Sequence, residues 1–130
     1  MVTAEMARKI PKVELHDHLD GGIRPETIIE LADQQGMKDL PAHNPEELAA
    51  WFHRGANRKS LALYLEGFSV AVSVMQTEEA LRRVAYEAME DLAAQNIVYV
   101  EFRFAPIQHL AGGLNLEAVV EAVLSGLDEG

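Results

Sequence analysis

Val13-Glu14-Leu15-His16-Asp17-His18-Leu19-Asp20-Gly21-Gly22 decides how the rest of the chain is read. In a strand, successive side chains point to opposite faces, so residues two apart share a face. Read as a strand from Lys12 to Leu19, this run sets His16 and His18 side by side, roughly 6–7 Å apart along the chain. Two imidazoles so placed can take two positions on one metal ion. Glu14, His16 and His18 then form a polar face, and Val13 and Leu15 an apolar face directed at a core. Asp17 is the exception, an acid on the apolar side. Gly21-Gly22 breaks the strand and starts a turn. The H-x-H spacing alone is equally compatible with two solvated histidines at a strand end. Its company favours a metal: a V-x-L strand before it, Asp20 after it, and Arg24-Pro25-Glu26 opening a helix. Sites at the C-terminal end of a strand feeding a βα loop are typical of α/β barrels.

Outward from this run, the pattern turns helical. Pro25 suits the first position of a helix. Ile28, Ile29, Leu31 and Ala32 give that helix an apolar face, and Gly36 ends it. Asn44-Pro45-Glu46-Glu47 is a second helix start, with Asn44 as cap and Leu48, Trp51 and Phe52 on the apolar side. Arg54 to Lys59 reads as a basic loop. Leu61, Tyr64, Leu65, Phe68 and Val72 recur at helical spacing. They fit core packing, or a hydrophobic lid, since long inserts after a barrel strand tend to carry function. Thr77-Glu78-Glu79 starts the longest helix, with Leu81, Val84, Ala85, Ala88, Met89 and Leu92 in one stripe.

A second strand is expected over residues 97–104. Its even positions, Val98, Val100, Phe102 and Phe104, should face helices, and Glu101 and Arg103 should point to the interior and pair, with each other or with neighbouring strands. Asn115 caps a last helix carrying Leu116, Val119, Val120, Val123, Leu124 and Leu127. The alternation of strands and helices predicts an α/β fold with a parallel sheet. His43, His53 and His109 read as surface histidines.

The formal charge is −10, from 21 acidic against 11 basic residues. Phosphate backbones are bound by Lys and Arg, so nucleic acid is not an expected partner. Hydrophobic residues make up 48% of the 130, enough for an ordinary core, and no Cys is present. A cysteine-free chain has no disulfide framework, and a reducing, cytoplasmic compartment is the expectation. No apolar run approaches the roughly 20 residues of a membrane helix, and the N-terminus lacks a signal-like apolar region. The nucleobase deaminases with H-x-E and P-C-x-x-C are excluded by the missing Cys.

Ile10 to Thr27 resembles the N-terminus of the adenosine deaminase family, which reads P-K-x-E-L-H-x-H-L-D-G followed by a P-E-T helix start. Val98 to Pro106 is similar to that family's second barrel strand, Y-x-E-x-R-x-x-P. The resemblance implies the N-terminal part of a (β/α)8 TIM-type barrel, with a helical insert between the first two strands. Residues 1–130 would be one segment of a single barrel domain, because such a barrel takes about 250 residues. It implies zinc-dependent hydrolytic deamination of adenosine and 2′-deoxyadenosine to inosine and ammonia, in purine salvage. The partner is a small purine nucleoside, and the cofactor one Zn2+ per subunit. His16 and His18 would be metal ligands, and His18 and Asp20 would contact substrate. Leu61, Tyr64, Leu65 and Phe68 match a gating helix. General acid and base are expected from later strands, so the 130 residues alone should be inactive. Other readings are an adenine or nucleotide deaminase, a phosphoesterase, or a non-catalytic fragment or adaptor. A phosphate substrate would want basic residues, and Arg24 is the one expected near the site. The residues do not decide among zinc, cobalt and iron.

Overall fold

A computed structural model describes residues 2–57 and 59–130, with Leu63 as backbone only. The elements run α1 (Ala4–Lys9), β1 (Lys12–His18), α2 (Pro25–Gln34), α3 (Pro45–Ala56), α4 (Leu61–Val74), α5 (Glu78–Ala94), β2 (Ile97–Arg103) and α6 (Leu116–Glu129). β1 and β2 pair in parallel, which requires the long helical crossover between them. Helix starts are capped as the residues predict. Asn44 accepts from the Glu46 and Glu47 amides, Thr77 from Ala80, and Asn115 from Ala118. The stretch expected as a basic loop is helical through Ala56, and Arg58 in it lies outside the described residues.

The core is mainly helical. Leu19, Ile28, Leu48, Val74, Leu81 and Val119 are among its buried members, and Phe102 of β2 and Phe104 just after it pack on it. Two expectations about the strands fail. Val13 and Leu15 are 56% and 57% exposed, because among the described residues of this segment the main neighbour of β1 is β2. Val98 is 70% exposed. Lys12 pairs with Ile97 but Val13 with Tyr99, so Val98 is an extra, bulged residue that leaves the alternation of β2. On α6, Val119 and Val123 are buried, whereas Leu116, Val120 and Leu124 form an exposed second stripe.

Two contacts set how tightly the helices sit. Gly126 lies where a Cβ would meet the Arg82 carbonyl and come within 2.8 Å of the Ala85 Cβ. Gly126→Ala is therefore expected to lower unfolding free energy by about 1–2 kcal/mol in urea titration, despite the better helix propensity of Ala. Between α2 and α5, the Thr27 hydroxyl donates to Glu87 Oε2 at 2.6 Å, with both residues buried. Arg83 holds the other oxygen of Glu87 at 2.8 Å and Glu30 at 2.6 Å. Thr27→Val keeps the shape but leaves a buried carboxylate oxygen without its donor. Its expected cost is about 1.5–3 kcal/mol, read from the same titration.

Candidate metal and substrate site

The site grows from the C-terminal end of β1. Glu14 pairs with Val100 and Asp17 with Phe102, so Leu15 and His16 together oppose Glu101 in a bulge. That bulge corrects the simple alternation. Glu14 shares the side of Asp17 and not that of the histidines. Burial lifts the Asp17 carboxyl above the ordinary carboxylate range, the nearby Glu14 charge adds to the rise, and His18 opposes it.

His16 and His18 do stand together, with ring centroids 5.2 Å apart and planes tilted by 34°. Two imidazoles on one tetrahedral ion, with metal–nitrogen bonds of about 2.0–2.1 Å, have their ring centres about 5 Å apart. The pair therefore fits a shared metal ion. Among the described residues, no group of three or more His, Cys, Asp or Glu side chains is arranged to hold a metal.

After His18 the chain tightens into a turn, Leu19–Gly21, with Leu19 buried as its anchor. The turn swings Asp20 inward, where it is 6% exposed. Its Oδ1 is buried with no hydrogen-bond partner among the described residues. His18 Nδ1 lies 4.0 Å from it, near enough for attraction and too far for a hydrogen bond. A buried, unpartnered carboxylate oxygen is costly, and a ligand that donates a hydrogen bond removes that cost.

Asp20 opens onto a cleft of about 310 Å³ between α3 and α4, lined by Gly21, Trp51, Phe52, His53, Tyr64 and Phe68 among others. Phe68 presents an edge contact to His18, with centroids 6.0 Å apart, and Tyr64 stacks edge-on to Phe68 at 5.5 Å. The four lid positions divide. Tyr64 and Phe68 line the cleft, whereas Leu61 and Leu65 are 73% and 48% exposed. Trp51, Phe52 and His53 form a wall that sequence reasoning took for helix packing and a surface histidine. The one available signal was their position just before the α4 insert.

The remaining polar residues are sorted by the fold. His43 is exposed, and His53 is exposed at the cleft. His109 is not a surface residue: it is fully buried, and its Nδ1 lies 2.9 Å from the Met75 carbonyl oxygen. Glu101 accepts from the Tyr99 hydroxyl at 3.0 Å, so its observed partner is Tyr99, not Arg103. Arg24 turns from the cleft to α5, where it grips Asp91 at 2.7 and 3.0 Å and Glu90 at 3.2 Å.

A parallel strand pair bridged by helices, with the polar site at the end of β1, is the N-terminal part of an α/β barrel of the deaminase and amidohydrolase class. Solved structures agree. The chain is similar to an adenine deaminase from Arthrobacter aurescens, with TM-score 0.77 and 30% identity, over 91% of this chain and 35% of that one. It is similar to an N6-mAMP deaminase from Arabidopsis, with TM-score 0.75 and 30% identity, over 95% of this chain and 36% of the other. A Burkholderia ambifaria amidohydrolase with bound zinc matches with TM-score 0.72 and 29% identity, over 97% and 34%.

The chain belongs to the adenosine deaminase family, whose model matches residues 11–130. An adenosine deaminase of Mycolicibacterium gilvum is 57% identical over 99% of this chain and 36% of its own length. The chain thus spans about a third of the curated relatives it matches. No helix among the described residues is long and apolar enough to cross a membrane.

Proposed function

We propose that residues 1–130 are the N-terminal segment of one metal-dependent barrel domain whose complete form hydrolyses adenosine and 2′-deoxyadenosine to inosine and ammonia. The observation that carries this is the imidazole pair next to a buried, unpartnered acid at the mouth of an apolar cleft. His16 and His18 would hold the metal, with zinc the reading favoured by the zinc-bound neighbour. When bound, that ion supplies Lewis acidity and lowers the pKa of water.

This segment's own residues bind and orient. Asp20 accepts a hydrogen bond from a sugar hydroxyl, a charge-assisted bond strengthened by its burial. The His18 ring, held against Phe68, forms the floor beside it. Tyr64 and Phe68 cover the purine and keep bulk water from the reacting ring. The general acid and base belong to the remainder of the barrel. The setting proposed for that reaction is cytoplasmic purine salvage.

Two observations favour a neutral nucleoside over other substrates. No Lys or Arg is among the described residues lining the cleft, and Arg24 is bound by α5, so the described residues of this segment offer a phosphate no cation. Asp20 needs a donor, which a ribose hydroxyl supplies, whereas adenine offers only its ring N–H and the amino group at the reacting carbon. In the full-length protein, ammonia release is expected to favour adenosine over adenine and AMP by about a hundredfold or more in kcat/KM. Preference for AMP or adenine would overturn the assignment. The 130-residue chain alone is expected to release no ammonia, and turnover by it would show that the catalytic groups lie within it.

A further inference from the structure

We propose that His109 and Gln76 form a latch that fixes the root of α4, which makes His109 a positioning residue for the helix over the cleft. The proposal rests on the cleft reading given above. α4 has two unlike halves. Ala71 and Val74 near its end are buried, as is Met75 just beyond, while Leu61, Tyr64 and Leu65 at its start are largely exposed. Such a helix is buried at one end and solvent-facing at the other, and the buried end fixes its position. Phe68, which meets His18, lies between them.

The held end is tied to the segment that follows β2. His109 ends the turn Pro106–His109 and is fully buried. Its Nδ1 meets the Met75 carbonyl oxygen, and a carbonyl only accepts, so Nδ1 carries the proton. Met75 is the residue on which α4 ends, so the bond engages a carbonyl at its root. Gln76 adds a second tie. Its Nε2 donates to the Val72 carbonyl at 2.7 Å and to the Gln108 carbonyl at 3.0 Å. Its Oε1 accepts from the Ala111 amide at 3.0 Å. Gly112 completes the junction, since a Cβ there would collide with the Gln76 carbonyl.

His109 Nε2, by contrast, is buried without a partner. A side chain present only to fill space would be cheaper as an apolar residue. The imidazole is justified by the bond it makes to Met75. The latch thus joins the root of the cover to the strand whose Arg103 is in register with His18. A slip at the root moves Phe68 and Tyr64 relative to the substrate floor.

The test uses the full-length protein with His109→Leu, which keeps the packing volume, and His109→Asn, whose side-chain amide can replace the Nδ1 donor. Hydrogen exchange of residues 61–76 is expected to quicken by about tenfold in the Leu variant, more than elsewhere, and to return toward wild type in the Asn variant. With adenosine, kcat and KM are expected to shift together by about threefold or more for Leu and little for Asn. Unchanged α4 exchange and unchanged kinetics in a folded Leu variant would overturn the latch and leave His109 as packing. Exchange needs no turnover, so a protein that deaminates no adenosine would sink the proposed function while the exchange result still decides the latch.

Discussion

Replacing His16 by alanine is expected to empty the metal site and lower adenosine turnover by about a thousandfold or more. The magnitude follows from the role assigned to the ion. A bound metal contributes several kcal/mol to the transition state, and each 1.4 kcal/mol is tenfold in rate. His16 is exposed on a bulged strand end beside the His18 ring, so its loss leaves no cavity in the core of this segment. Thermal stability without metal should therefore stay near wild type while metal content falls. Measuring both by metal analysis and ammonia release separates a lost ligand from a damaged fold. A His16→Ala protein that keeps stoichiometric metal and near-normal turnover would remove His16 from the site.

Asp20→Asn is expected to act in opposite directions on stability and on binding. In the free protein, Asp20 Oδ1 is buried and unpartnered, so a neutral amide should be tolerated or stabilising. In the complex, the charge-assisted bond to the sugar is weakened, which should raise KM for adenosine by about 10- to 100-fold. Urea unfolding and steady-state kinetics on the same variant test both signs. Equal losses in stability and affinity would mean that Asp20 is a turn residue and not a ligand-facing one. The 4.0 Å gap to His18 matters here, because a true hydrogen bond between them would give the structural result.

The parts of this site legible in the sequence were local ones. His16, His18 and Asp20 lie within one strand and one turn, so two-residue alternation and the Gly21-Gly22 break were enough to group them. Helix starts were legible for the same reason, since Asn44, Thr77 and Asn115 cap amides two or three residues away.

The misplaced features depend on partners distant in sequence. The bulge that moves Glu14 away from the histidines arises from pairing with β2, and alternation within β1 cannot reveal it. Val13 and Leu15 read as core residues because they are apolar, but burial needs a covering element, and among the described residues of this segment β2 is the main neighbour of β1. His109 read as a surface residue because it lies in a loop after Pro106, and only Met75, reached through the fold, reveals its buried partner. Arg24 was placed near the site by sequence distance, whereas Asp91 and Glu90 draw it to α5. Arg54, Gly55 and Ala56 read as loop by composition, yet α3 continues through them.

The claim beneath the function and the His16 prediction is that His16 and His18 bind one metal ion together. X-ray absorption at the metal edge of the full-length protein measures this directly. With both rings on one ion, the spectrum is expected to show imidazole nitrogens at about 2.0–2.1 Å whose number falls in the His16→Ala and His18→Ala proteins. An unchanged imidazole count in both variants would contradict it.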